Sequence, residues 1–233
     1  MKKQLIETLS LNKKLISLGL QIHTFGNASI RHKNFCIIKP SGANLKKLKP
    51  SDLSVVNIKN KKIISGKKPS VDLDTHLEIY KNFKNINSIV HTHSVYATSW
   101  AQAKKPIPCY GTTHADYYSR EIPITKSINQ SQVKKNYEYQ TGKLVVSKLK
   151  DLKINPLYIP GILVSGHGPF AWGSNSKDAL SNAQTIEYIA ELAFNTKRIN
   201  QNVKSIPKFL QDKHYKRKIG PNSYYGQNNN KRK

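Results

Sequence analysis

The stretch SIVHTHSVYATSWAQ, residues 88–102, decides how the chain is read. It opens on apolar Ile89 and Val90, passes through His91 and His93, and continues from Val95 with the spacing of a helix. Side chains two apart on a strand point to one face, so an HTH triplet at a strand end aims both imidazoles at one place. That arrangement suits a divalent metal bound through nitrogen, zinc above all. His167, in VSGHGPF (164–170), also follows an apolar run and sits among glycines that let backbone approach closely, which makes it the natural third ligand. Three histidines leave one position open, as a catalytic zinc requires. The competing reading, a pair of hydrogen-bonded core histidines, stands beside this one on the triplet alone.

Outward from this point the chain alternates short apolar runs with turn signals. Upstream, DTHLEIYKNF (74–83) reads as a helix with Asp74 placed to cap it. GNASIRHKNFCIIKPSG (26–42) reads as two strands about the turn RHKN, and LSVVNIKNKKIIS (53–65) repeats the theme. Leu5, Ile6, Leu9, Leu15, Ile16 and Leu20 are compatible with an amphipathic opening helix that ends near Gly19. Downstream, KPIPCYG (105–111) reads as a short strand held by prolines and TGKLVVSKLKD (141–151) as a helix. GILVSGHGPFAWG (161–173) reads as a strand entering a glycine-rich loop. SKDALSNAQTIEYIAELAFNTKRI (176–199) is the longest helix, capped by Ser176. Strands in hairpin-like pairs together with helices predict a mixed or antiparallel sheet with helices packed on it. No repeat and no Gly/Ser linker divides the chain.

The 233 residues carry 39 Lys and Arg against 13 Asp and Glu, a formal net charge of +26. The excess is mostly lysine scattered along the chain, with no nucleic-acid motif and no aromatic–basic interleaving, so it reads as solvated surface rather than a nucleic-acid site. Its field draws in small anions. Cys36 and Cys109 form no CxxC pair, and neither a disulfide framework nor a cysteine metal site is expected. Glu7, Asn12, Lys13 and Lys14 interrupt the N-terminal apolar pattern, and no run is long enough to span a membrane. A cytoplasmic protein without membrane partners is expected.

Other residues carry weaker signals. Asp72 offers a carboxylate for acid–base work or as an extra metal ligand, or else a turn residue. GTTHADYYS (111–119) holds His114 and Asp116, the latter able to shuttle a proton or merely to shape a turn. Gly26, Asn27 and Ser29, then Lys39, Ser41 and Gly42, and finally Ser70 supply the small polar groups, turn N–H donors and lysine that hold phosphate. Each is common in plain turns.

Taken in order, GNASI, IIKPSG, KPSVD, IVHTHS, GTTHADY, HGPFAWG, DKHY and YYGQ resemble the class II aldolase and adducin family, and within it the L-ribulose-5-phosphate 4-epimerase branch. The likeness runs from the first helix to Gln227, and GTTHADY, HGPFAWG and YYGQ are its epimerase-type blocks. It implies one three-layer α/β domain over residues 1–227 with a largely antiparallel sheet, followed by a disordered basic tail at 228–233. It implies a zinc site of His91, His93 and His167 with Asp72 beside the metal, where the aldolases of the family keep a glutamate. It places Asn27, Lys39, Ser41, Gly42 and Ser70 on substrate and phosphate, Asp116 and Tyr225 as the proton-transfer pair, and Thr112, Glu138, His214 and Arg217 close by. It further implies a homotetramer with active sites between subunits, so that the DKHY and YYGQ segments reach across an interface. Val71 departs from the pattern, because a second serine usually follows Ser70. One neutral hydrogen bond is worth about 0.5–1.5 kcal/mol, so its loss weakens phosphate binding without abolishing it. Phe25 replaces a usual tryptophan and is expected to be neutral packing.

The implied reaction interconverts L-ribulose 5-phosphate and D-xylulose 5-phosphate. The C4 hydrogen is not next to the carbonyl, so inversion needs retro-aldol cleavage of C3–C4 and re-addition to the opposite face of the aldehyde. Zinc would act as the Lewis acid. The rivals are a fuculose-phosphate-aldolase-like enzyme that releases its fragments and a non-enzymatic adducin-like module. Asp72 and YYGQ speak against the first, the intact histidine set against the second.

Overall fold

The structure, a computed structural model, describes residues 1–219 and 223–225. The expected tail at 228–233 and the last two residues of YYGQ lie outside the described residues. Helix α1 (Lys2–Ser17) leads into β1 (Asn27–His32) and β2 (Phe35–Ile38), a hairpin that turns at Lys33 and Asn34. Strands β3 (Ser54–Asn57) and β4 (Ile63–Ser65) form the second hairpin, followed by α2 (Leu73–Asn82), β5 (Ser88–His91) and α3 (Val95–Gln102). A short α4 (Thr112–Ala115) and a long α5 (Gln130–Asp151) precede β6 (Gly161–Val164) and β7 (Gly168–Gly173). Helices α6 (Ser176–Ile199) and α7 (Lys208–Lys218) complete the described chain.

The seven strands form one sheet in the order β4-β3-β2-β1-β5-β7-β6, every neighbouring pair antiparallel. Both faces of the sheet are covered, as successive β2 residues show. Ile37 packs with Leu9 of α1, Leu53 and Val55, while Cys36 and Ile38 join the main core with Leu77 and Tyr80 of α2. Strand β5 is buried throughout and lies between β1 and β7, with His91 paired to Asn27 on one side and to Phe170 on the other. The histidine strand is therefore a central strand of the sheet.

Several expectations change. GILVSGHGPFAWG is a hairpin, β6 and β7 joined at Ser165–His167, because Phe170, Ala171 and Trp172 find full burial on β7. KPIPCYG makes only an isolated bridge between Ile107 and Ile122, since Pro106 and Pro108 have no N–H for a ladder. Asn175, not Ser176, caps α6 by accepting from the Asp178 N–H. Asp74 lies inside the first turn of α2 and pairs with Lys61 instead of capping. Both cysteines are free and buried. Among the described residues no helix is long and apolar enough to cross a membrane.

Candidate active site

His91 ends β5 and His93 follows in extended chain, so their Nε2 atoms come within 3.1 Å. His167 reaches the same point from the β6–β7 turn, with its ring centroid 4.6 Å from that of His91 and 5.0 Å from that of His93. One ligand atom from each of the three lies within 4.8 Å of the others. The backbone around them is built for close approach. A Cβ on Gly26, whose φ is +83°, would stand 2.7 Å from the His91 carbonyl oxygen, and one on Gly168 equally near that of Thr92. Glu187 of α6 accepts the Tyr96 and Ala97 N–H groups at 2.8 and 2.9 Å, pinning the start of α3 just beyond His93.

The electrostatics favour neutral imidazoles, the form that binds metal. Burial drives the His91 pKa well below the ordinary histidine value, and His167 and His93 push it further. Burial also lowers His93 and His167, partly opposed by the negative charge of Asp72. His91 Nδ1 donates to the Pro169 carbonyl at 3.0 Å, which leaves its Nε2 lone pair facing His93, and its ring stacks on Phe170 at 4.1 Å. Two imidazole nitrogens this close need a proton or a cation between them. Tetrahedral zinc with bonds of about 2.0–2.1 Å would hold its ligand nitrogens about 3.3 Å apart, so the donor set fits such an ion.

Beside the histidines opens a cleft of about 450 Å³ lined by Thr24, Phe25, Gly26, Asn27, Lys39, Ser41, Gly42, Ser70, Val71, Asp72, His93, Tyr137, Glu138 and His167. Asn27 Nδ2 donates to Asp72 Oδ2 at 2.6 Å and to Ser70 Oγ at 3.1 Å, while its Oδ1 is buried without a protein partner. Lys39 is almost wholly buried and donates from Nζ to the Thr24 carbonyl at 2.7 Å. Burial lowers its pKa to about 8 against the pull of Asp72. Asp72 is not one of the histidine group but faces the same cleft. Val71 is 62% exposed there and brings no hydroxyl. Phe25 is 53% exposed and packs as cleft wall, its ring 5.8 Å from that of His93.

The remaining candidates gather elsewhere. Asp116, at the end of α4, accepts from Arg217 Nε and Nη2 of α7 at 2.8 and 2.7 Å and from His214 Nδ1 at 3.2 Å. Burial raises its pKa, but these donors and Lys218 outweigh it, so the carboxylate stays ionised below the ordinary range. The Arg217 guanidinium lies 4.8 Å over the Tyr225 ring, and the Tyr225 N–H donates to the Arg217 carbonyl. Asp116 and Tyr225 are thus assembled around Arg217, with exposed Thr112 on the same short helix as Asp116. None of this second set lines the histidine cleft.

Two candidates leave the site altogether. Ser29 points into the core, its hydroxyl 2.7 Å from His76 Nδ1 and 2.8 Å from the Tyr80 hydroxyl. His114 is buried and donates from Nε2 to the Arg120 carbonyl at 2.9 Å. Sequence reasoning missed Tyr137, whose hydroxyl stands 3.1 Å from His167 Nδ1. The missed signal is Asn136, a capping residue type just before it.

Residues 6–194 match the family model of the class II aldolase and adducin N-terminal domain. The chain belongs to this family. Several solved structures share the fold at low identity. An L-fuculose 1-phosphate aldolase is 22% identical, with 91% of this chain and 95% of that one covered and a TM-score of 0.77. YgbL from Klebsiella pneumoniae, whose description spans aldolase, epimerase and decarboxylase, is 23% identical over 91% and 97% with a TM-score of 0.72. The L-fuculose-1-phosphate aldolase of Thermus thermophilus is 21% identical over 88% and 100%, with a TM-score of 0.67. Phe25 and Val71, where the sequence departs from the resemblance drawn above, both line the cleft.

Proposed function

We propose that this class II family member is an enzyme, a zinc-dependent 4-epimerase that interconverts L-ribulose 5-phosphate and D-xylulose 5-phosphate. The observation that carries the reading is the division of the candidate residues into two sets, one offering metal and anion sites and the other an ionised carboxylate beside a tyrosine. Asn27, Lys39, Ser41, Gly42 and Ser70 hold the phosphate, with a lysine charge and small donors but no hydroxyl from Val71. Asp116 takes the C4 hydroxyl proton as C3–C4 breaks, giving the enediolate of dihydroxyacetone and glycolaldehyde phosphate. The aldehyde turns its other face while its phosphate stays bound, and Tyr225 returns a proton as the bond re-forms; proton exchange with solvent then restores both groups, and the reverse direction exchanges the two roles. His91, His93 and His167 would hold zinc, with Asp72 next to it, and zinc would supply the Lewis acidity for the developing charge. Because the two sets do not share a cleft within one chain, the working site would form between neighbouring copies of a homotetramer.

The aldolase reading has its own support in two structural neighbours, both L-fuculose 1-phosphate aldolases. One assay separates the readings. L-ribulose 5-phosphate is given to zinc-loaded protein and to His93→Asn, and both D-xylulose 5-phosphate and free glycolaldehyde phosphate are followed. Zinc-dependent xylulose product that falls to background in the variant supports the epimerase. Glycolaldehyde phosphate accumulating in step with substrate loss overturns it in favour of the aldolase, and no turnover with zinc bound removes this substrate. An adducin-like module would show no zinc-dependent turnover of any sugar phosphate.

A further inference from the structure

We infer that Tyr137 is a positioning residue for His167, its phenol oxygen accepting the Nδ1–H so that Nε2 faces the metal position. The inference rests on reading the three histidines as a metal site. A histidine binds metal through one nitrogen only when that nitrogen carries no proton, and the partner of the other nitrogen sets the tautomer. For His91 the partner is the Pro169 carbonyl, which can only accept. For His167 it is the Tyr137 hydroxyl at 3.1 Å, which can accept or donate. If the phenol donated, the ring proton would sit on Nε2 and His167 would drop out of the ligand group. Membership of that group therefore requires the phenol oxygen to accept, which frees the phenol hydrogen for another acceptor, the neighbouring Thr141 hydroxyl or an oxygen in the cleft that Tyr137 lines.

The placement of Tyr137 is built into the chain. Helix α5 breaks at Asn136, with φ −175° and ψ 99°, and restarts with the Asn136 side chain accepting the Tyr139 N–H at 2.9 Å. Tyr137 and Glu138 thus stand in a first helical turn at the cleft rather than in the middle of a straight helix. Asn136 Nδ2 donates to Asp74 at 3.1 Å, and Thr75 Oγ1 donates to the Glu138 carbonyl at 2.7 Å, tying the break to α2.

The test titrates zinc into metal-free full-length protein against a competing chelator dye. Outer partners of metal-bound histidines are worth about 10–100-fold in affinity, and Tyr137→Phe is expected to lose that much. Tyr139→Phe, on the same helix but beside Lys61 and Lys143, is expected to stay within about twofold of the unmutated protein. Long-range nitrogen–proton NMR of ¹⁵N-histidine-labelled, metal-free protein should find His167 as the Nδ1–H tautomer, and Tyr137→Phe should lose that preference. An Nε2–H tautomer, or Tyr137→Phe binding zinc as tightly as the unmutated protein, overturns the inference while leaving the metal site standing. Failure of the unmutated protein to bind zinc overturns both.

Discussion

Lys39 shows how burial at a single residue becomes a pH response. Its ammonium has one carbonyl partner, and desolvation brings its pKa from 10.5 to about 8. The sign follows from proton counts. Between about 8 and 10.5 the unfolded chain keeps a proton that the native lysine has lost, so stability rises with pH across that window, and the cost is constant below it. With Lys39 on the substrate phosphate, as proposed, function would run the other way, since phosphate needs the charged form. Substrate kcat/KM, which reports the free enzyme, is expected to fall as pH rises through about 8, and Lys39→Met should lose that step together with most phosphate affinity. A flat profile from about pH 7 to 9 in the unmutated enzyme would contradict it. At this scale the sequence is readable where side chains declare their chemistry. His91, His93 and His167 come together as the HTH spacing and the glycine-flanked His167 suggested. Ser29 is not readable in this way, because nothing in GNASI tells which of its small polar residues faces the cleft and which is taken by buried His76 and Tyr80.

Elements are legible when their period is clean. The two N-terminal hairpins, α1 and α6 follow from apolar spacing and turn residues. Helix α7 escapes because KFLQDKHYKRK is mostly charged and buries only Gln211, so there is no apolar stripe to find. The start of α5 escapes for another reason. Its first turns are polar and exposed, and only the capping chemistry at Asn129 and Asn136 marks where each segment begins. That break is testable. Asn136→Ala removes the acceptor for the Tyr139 N–H and is expected to cost about 1 kcal/mol of stability in urea denaturation, with Asn136→Ser recovering most of it. Gly142 supplies a second test where α5 crosses α2. A Cβ there would stand 2.7 Å from Glu78 Cβ and 3.1 Å from Thr75 Cα, so Gly142→Ala must push the helices apart. A loss of about 1–3 kcal/mol is expected, against the gain that alanine normally brings to a helix interior.

The whole molecule holds what no local pattern could announce. An antiparallel sheet with β5 between β1 and β7 brings His93, Lys39 and Ser70 to one cleft from positions far apart in the chain. The same folding gathers Asp116, His214, Arg217 and Tyr225 around α4 and α7, away from that cleft. Sequence likeness put all of them in one site shared between subunits, with DKHY and YYGQ reaching across an interface; the packed chain adds that Asp116 belongs with that second group. If the working site joins one copy's cleft to the next copy's Asp116 set, two dead variants should repair each other. His93→Asn and Asp116→Asn, each inactive alone, are co-expressed so that their subunits mix. In a ring with every site shared between adjacent copies, about a quarter of the sites in an equal mixture draw both intact halves, and about a quarter of unmutated activity should return. Mixing the two proteins after purification, without subunit exchange, should return none. Activity absent from the co-expressed sample, with mixed oligomers verified by mass, would mean that both residues must come from the same chain.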